Sequence, residues 1–354
     1  MRRNVALRHS MFHEEGVTRA NKVAQSVSTL TPQLIPTEYQ RRTRLAFKSF
    51  VRPDMGAVAL HLPESGALLG EAVEGVDLSE DLDEGIFHQV EHAFNECGLL
   101  VFRNQPISHE QHVRFSRRFG ELDVHVIAQY LVAGCPELFR VSNLLENGKR
   151  IGANAEFWHT DMSYLATPPR CSLLYAVEVP TAAEGSPLGD TLFASTAAAY
   201  DALSDAMKKQ LAGLYGIHRF ADAYNREQSR RAAAGEPLIA QGLHQMTQKE
   251  MKEAAPDVLH PVVRTHPFTG RKCLYVNRGF TVGIDGMPED EGNALLTELF
   301  AHCIRPEFMY CHKWQVGDLV MWDNCSMVHK GVGNYGPEHR RLLYRATVKG
   351  FAPY

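Results

Sequence analysis

The chain has 354 residues, which at ~150 residues per domain allows about two domains or one large domain with insertions. Hydrophobic residues make up 44% and charged residues 22%, which is too apolar for a disordered chain and excludes a collagen-like one. The formal charge of −4, from 37 Lys and Arg against 41 Asp and Glu, gives the molecule as a whole no attraction for nucleic acid or an anionic membrane.

Residues 1–54 are the exception, with ten Lys/Arg against four acids. They lack a dense run of like charges and read as a basic N-terminal extension, ahead of a domain over 55–354. No apolar run reaches the ~18–20 residues of a membrane span and no signal-peptide pattern opens the chain, so the expectation is a soluble, cytoplasmic protein. The seven cysteines are spread without any C-x-x-C, which excludes a disulfide framework or a zinc ribbon.

Regular patterning starts with a strand-like stretch over 56–62 and a helix over 79–97, with acids early and Leu82, Ile86, Val90 and Phe94 at four-residue spacing. Gly98 stops that helix. Leu99–Phe102 is a short apolar run suited to a central strand, and Ser108-x-x-Gln111 is a capping box opening a helix to about Phe119. Strands are then expected over 172–177, 190–194, 262–266, 272–276, 318–322 and 340–348, with helices at about 196–214 and 288–304. Phe268-Thr269-Gly270-Arg271 reads as a hairpin turn and favours antiparallel pairing. The polar, Ala/Gln/Glu-rich stretch 219–256 reads as an insertion or lid.

The chemistry concentrates in three places. Trp158-His159-Thr160-Asp161 sets an imidazole and a carboxylate two residues apart, on one face if the segment is extended. His329 follows the strand ending at Trp322, where a neighbouring strand could bring it to the same point. Two His and one carboxylate are the facial set of non-haem Fe(II) oxygenases, although a chain with 17 His also produces such pairs at its surface. Along 340–348, alternation puts Arg341, Leu343 and Arg345 on one face and Leu342, Tyr344 and Ala346 on the other. Two guanidinium groups in an apolar strand are costly unless they meet anions, and arginine's fork suits carboxylates and sulfonates.

Phe157, Trp158 and Trp322 read as core aromatics, Lys330 as solvated and Cys325 as structural. His61, His88, His92, His109 and His112 read as surface residues without a role.

With these motifs, the chain resembles the taurine dioxygenase and 2,4-dichlorophenoxyacetate dioxygenase family of Fe(II)/2-oxoglutarate oxygenases, from about Gly56 to Tyr354. Shared landmarks are Phe119-Gly120-Glu121-Leu122, Trp158-His159-Thr160-Asp161, Thr167-Pro168-Pro169, Gly189-Asp190-Thr191-Leu192, the segment His260–Pro267, Trp322-Asp323-Asn324 and Arg340-Arg341-x-x-x-Arg345. The resemblance implies an α+β fold with a double-stranded β-helix (jelly roll) core flanked by helices. It implies that His159, Asp161 and His329 hold Fe(II), that Thr191 and Arg341 grip 2-oxoglutarate, and that His125 and Arg345 bind the substrate. It places His260 and His266 outside the iron site.

The implied reaction hydroxylates a C–H bond of a small organic molecule with an anionic (carboxylate, sulfonate or sulfate) end. O2 is consumed and 2-oxoglutarate is decarboxylated to succinate and CO2. Ala155 and Ala128 stand where the taurine branch carries an asparagine and a tyrosine, which implies a larger or more apolar substrate than taurine. Asp161 argues against the related halogenases, which replace this carboxylate. A homo-oligomer, dimer or tetramer, is the implied assembly, with no nucleic-acid or membrane partner. Two other classes use the same residues: a zinc hydrolase, which leaves Arg341 and Thr191 without a role, and a non-catalytic metal or ligand sensor.

Overall fold

The apolar run Leu99–Phe102 is buried along its whole length, Leu99 and Val101 facing one core and Leu100 and Phe102 another, so it is a central strand between two layers. This arrangement belongs to a computed structural model that describes residues 59–61, 69–125, 127–152, 155–220, 229 and 255–354. The expected extension over 1–54 and almost all of the expected insertion over 219–256 lie outside the described residues.

In chain order the elements are β1 (Ala59–His61), β2 (Glu71–Glu74), α1 (Glu84–Cys97), β3 (Leu99–Phe102), α2 (His109–Arg117), β4 (Leu131–Val132), β5 (Cys135–Ser142), β6 (Leu145–Glu146) and β7 (Lys149–Arg150). They continue with β8 (Cys171–Glu178), β9 (Thr191–Ser195), α3 (Thr196–Asp201), α4 (Asp205–Leu211), β10 (Tyr215–His218), β11 (Val258–Pro261), β12 (Val263–Thr265), β13 (Lys272–Leu274) and β14 (Thr281–Ile284). The last are α5 (Glu289–Cys303), β15 (Met309–His312), β16 (Leu319–Asp323), β17 (Met327–Gly331) and β18 (Leu342–Val348).

The fold is mixed α/β. An eight-stranded sheet runs β1-β2-β3-β16-β8-β18-β5-β4, and a three-stranded sheet runs β15-β9-β17. Among the described strands only β2 and β3 pair in parallel; the other pairings are antiparallel, as the turn at 268–271 predicts. One core joins the two sheets: Leu99, Val101, Leu174, Val320, Trp322 and Leu343 from the large sheet pack with Phe193 of β9 and Met327 of β17. On the opposite face of the large sheet, Leu100, Phe102, Leu173, Met321 and Ala346 pack with Phe87, Val90 and Phe94 of α1 and Val113 and Phe115 of α2.

Local chemistry sets the helix ends. Asp83 accepts the Gly85 N–H at 2.7 Å and starts α1 five residues later than the acid-rich pattern predicts, because Asp77 has already drawn the Ser79 N–H into its own turn at 2.9 Å. Gly98 ends the helix at φ 73°, where a Cβ would lie 2.6 Å from Met327 Cε. The Ser108/Gln111 capping box of α2 is formed as expected. The helix expected over 196–214 is two helices instead, because Ser204 accepts the Met207 N–H and caps a second start.

His112 departs from its expected surface position. It lies 1% exposed on the inner face of α2, its ring next to Tyr175 and without a well-formed hydrogen bond. Burial pushes His112 and His218 down to about 3 and His260 to about 4, so all three are neutral in the folded chain and free to take up protons below pH ~6.5 once unfolded. The unfolded state then binds more protons, and stability falls as pH drops from ~6.5 towards the folded-state values. Urea unfolding between pH 7 and 4.5 is expected to show this loss. His112→Leu should make its slope shallower by up to ~1.4 kcal/mol per pH unit. An unchanged slope contradicts the assignment.

Candidate active site

His159 and His329 are brought together by backbone pairing. β17 pairs antiparallel with β9, His329 opposite Phe193, and on its other side His329 exchanges both backbone hydrogen bonds with His159, at 3.0 and 2.8 Å. The two rings lie 4.1 Å apart between centroids. Only glycine fits at 279, since a Cβ there would be 2.7 Å from the Phe157 ring and 2.9 Å from His159 Cβ.

Asp161 reaches the same point by a turn rather than by the extended segment that the His-x-Asp spacing suggests. The chain bends immediately after His159, with Met162 at φ 45° and the Leu165 N–H donating to the Met162 carbonyl at 2.9 Å. Thr160 anchors the bend by donating to the Met327 carbonyl at 2.9 Å. Asp161 Oδ1 then lies 3.7 Å from His159 Nε2 and 3.9 Å from His329 Nε2, and one atom from each residue falls within a 4.8 Å cluster.

The protonation pattern suits a divalent cation. His159 Nδ1 lies 2.8 Å from the Phe157 carbonyl, which can only accept, so Nδ1 carries a proton and Nε2 is the ring nitrogen turned to the cluster. Burial, then the neighbouring His159, holds His329 well below its ordinary range and therefore neutral. Burial opposes the charge on Asp161, but the adjacent Arg345 guanidinium outweighs it and keeps the carboxyl well below the usual carboxylate range. Arg345 Nη1 donates to Asp161 Oδ1 at 2.7 Å and Ser172 Oγ to Oδ2 at 2.6 Å. Two imidazoles and a carboxylate are the donor set that non-haem Fe(II) takes.

The cluster opens into a cavity of about 190 Å³. His125, His159, Thr191, His329, Arg341 and Arg345 all line it, and Asp161 adjoins it through its bond to Arg345, so the structure brings every site residue read from the sequence to one place. β18 alternates as expected: Leu343 turns to the core shared by the two sheets while Tyr344 and Ala346 turn to the other.

Arg341 is buried, and burial lowers its pKa from the usual guanidinium value. Its Nη2 donates to the Gly189 carbonyl at 3.3 Å, and Gly189, at φ 73°, passes so close that a Cβ would lie 2.9 Å from Arg341 Nε. Thr191 Oγ1 is oriented by the Trp314 indole N–H at 3.0 Å. His125 accepts the Ile127 N–H on Nδ1 at 3.1 Å, which leaves Nε2–H as its donor. Burial and then Arg345 push His125 down to about 4, so it is a neutral donor beside a cation. Phe139 packs under both, 4.4 Å from the His125 ring and 5.2 Å from the Arg345 guanidinium.

Ser172, Trp314 and the cavity-lining Tyr335 and Glu156 do not stand out in the sequence. The one available signal was the polar Ser172 inside the apolar run of β8. Trp322 is both core and cavity wall, 4.7 Å from the His329 ring.

A second buried cluster joins His266, Asp323 and Cys325. His266 Nδ1 faces the backbone N–H groups of Phe268 and Thr269 at 3.3 and 3.1 Å and so accepts, which puts the ring proton on Nε2, donating to Asp323 at 2.9 Å. Burial would raise the Asp323 pKa, yet His266 and Ser326 outweigh it and hold it at about 2. In that cluster the His266 ring and the Cys325 N–H both donate to Asp323, so its hydrogen bonds are satisfied internally.

The family described as "Taurine catabolism dioxygenase TauD, TfdA family" matches residues 61–347. An alpha-ketoglutarate-dependent 2,4-dichlorophenoxyacetate dioxygenase of Cupriavidus pinatubonensis is 35% identical over 79% of this chain and 94% of its own. Among solved structures, a taurine dioxygenase from Burkholderia xenovorans superposes with a TM-score of 0.67 at 31% identity, covering 84% of this chain and 91% of that one. A homologue solved in complex with Mn(II) and N-oxalylglycine gives 0.66 at 33% identity, covering 84% and 99%. With its two imidazoles and carboxylate at the inner end of an arginine-lined cavity, the chain belongs to the TauD/TfdA family of Fe(II)- and 2-oxoglutarate-dependent dioxygenases.

Proposed function

We propose that this enzyme hydroxylates a C–H bond of a small, largely apolar molecule carrying one anionic end. Within it, His159, Asp161 and His329 hold Fe(II), Thr191 and Arg341 hold the distal carboxylate of 2-oxoglutarate, and His125 and Arg345 hold the substrate. The observation that carries this reading is the convergence of the three donor atoms, within 4.8 Å, at a cavity lined also by the buried Arg341 and by Arg345. The same reading takes the two packed sheets as a double-stranded β-helix, residues 1–54 as an extension outside the catalytic domain, the protein as cytoplasmic, and the assembly as a homo-oligomer. No helix among the described residues is long and apolar enough to cross a membrane.

Bound Fe(II) with 2-oxoglutarate supplies O2 activation, with decarboxylation to succinate and CO2 and oxidation of the substrate. The chain's own residues do the positioning. Arg341 offers a fork that matches a carboxylate, in a buried setting where the pairing is strong. Arg345 and the neutral Nε2–H of His125 offer one cation and one donor, suited to a singly charged carboxylate, sulfonate or sulfate. Ile127, Val141, Leu174 and Val332 give the cavity apolar walls that exclude water around the target carbon. Ala155 also lines it, leaving room where the taurine branch carries asparagine. The similar dioxygenase of Cupriavidus is named for an aryloxy carboxylate, a ligand of this shape.

The test is succinate formation across aryloxy acids, sulfonates and sulfate esters, repeated with Arg345→Gln. Loss of a charge-assisted contact of ~2 kcal/mol or more predicts at least a ~30-fold rise in substrate KM with 2-oxoglutarate affinity little changed. Unchanged KM for every anionic substrate contradicts the role given to Arg345.

A further inference from the structure

The two oxygens of Asp161 have different partners. Oδ1 faces the Nε2 atoms of His159 and His329 at 3.7 and 3.9 Å and accepts from Arg345 Nη1 at 2.7 Å, while Oδ2 accepts the Ser172 hydroxyl at 2.6 Å. Behind Ser172 runs a hydrogen-bond chain whose direction is fixed at its far end. An indole N–H can only donate. Trp322 Nε1 donates to Asn324 Oδ1 at 3.1 Å, so the amide must turn its Nδ2 the other way, where it donates to Ser172 Oγ at 3.1 Å. Having accepted from Asn324, Ser172 gives its single proton to Asp161. Trp322, Asn324, Ser172 and Asp161 are each at most 3% exposed, so water does not compete, and β-pairing sets Trp322 directly opposite Ser172.

We infer that Ser172 is a positioning residue that keeps Asp161 a one-oxygen metal ligand by tying Oδ2 away from the cluster. The inference rests on reading His159, Asp161 and His329 as the metal ligands. A facial set of three protein atoms leaves open positions for a chelating co-substrate and for O2, and a carboxylate that turned both oxygens to the ion would close one of them. Asn324 and Trp322 act through Ser172 by fixing which way its proton points.

The test counts exchangeable waters on Mn(II) bound to the full chain by water-proton relaxation. Ser172→Ala is expected to lower the relaxivity of the bound ion by about one third, as one of three open positions is closed by Asp161 Oδ2. Ser172→Thr keeps the hydroxyl and is expected to match the wild type in relaxivity, although the extra methyl in a filled site lowers its melting temperature. Wild-type relaxivity in Ser172→Ala, or an equal fall in both variants, overturns the inference and leaves the metal site in place. Absence of Mn(II) binding in the wild type, or binding untouched by His329→Ala, overturns instead the reading on which it rests.

Discussion

His329→Ala is expected to abolish turnover and to weaken Fe(II) binding by ~10²-fold or more. Loss of a partner that merely orients a metal ligand typically costs 10–100-fold in affinity, and loss of the ligand itself costs at least as much. His329 lies on β17, opposite Phe193 of β9, and its ring is packed against Trp322 at 4.7 Å, so strand and core together hold this imidazole at the cluster. The change should also free the backbone partner His159 only slightly, because their two main-chain hydrogen bonds do not involve the side chain. The result to measure is Fe(II) affinity under anaerobic conditions, alongside the melting temperature. A folded variant that binds Fe(II) as tightly as the wild type removes His329 from the metal site.

Arg341→Ala is the second large expected effect, and it falls on the co-substrate. Arg341 is buried, its stem is held by the close passage of Gly189, and Asp190 of the same turn is occupied by Lys313 at 3.2 Å. Truncating one partner of a buried, charge-assisted pair costs ~2–5 kcal/mol, which corresponds to at least ~30-fold in 2-oxoglutarate affinity. Arg341→Lys keeps the charge without the fork and should fall between the two. Unchanged 2-oxoglutarate affinity in Arg341→Ala, measured by calorimetry with metal present, contradicts the assignment.

Much of the site was legible because it is written in local patterns. Strand alternation alone put Arg341 and Arg345 on the same face as Leu343, and that face does turn inward to the cavity and the shared core. The capping box at Ser108 and the stop at Gly98 were likewise local and correct.

What escaped the sequence depends on register between distant strands. Asn324 meets Ser172 across 152 residues and Trp314 meets Thr191 across 123, and neither pairing follows from spacing. The turn that delivers Asp161 was hidden for another reason: it needs Met162 at positive φ, a conformation that methionine does not advertise. His112 was misread as exposed because its helix is short and polar, and one imidazole among charged neighbours does not reveal which face the sheet covers.

The most direct test of the central claim is anaerobic titration of the metal-free chain with Fe(II) and then 2-oxoglutarate, followed by visible absorbance. The account predicts the weak metal-to-ligand charge-transfer band of a chelated keto acid, present in the wild type and absent in His329→Ala. Metal binding with no such band on adding 2-oxoglutarate would contradict the account and bring forward the hydrolase or sensor reading of the same residues.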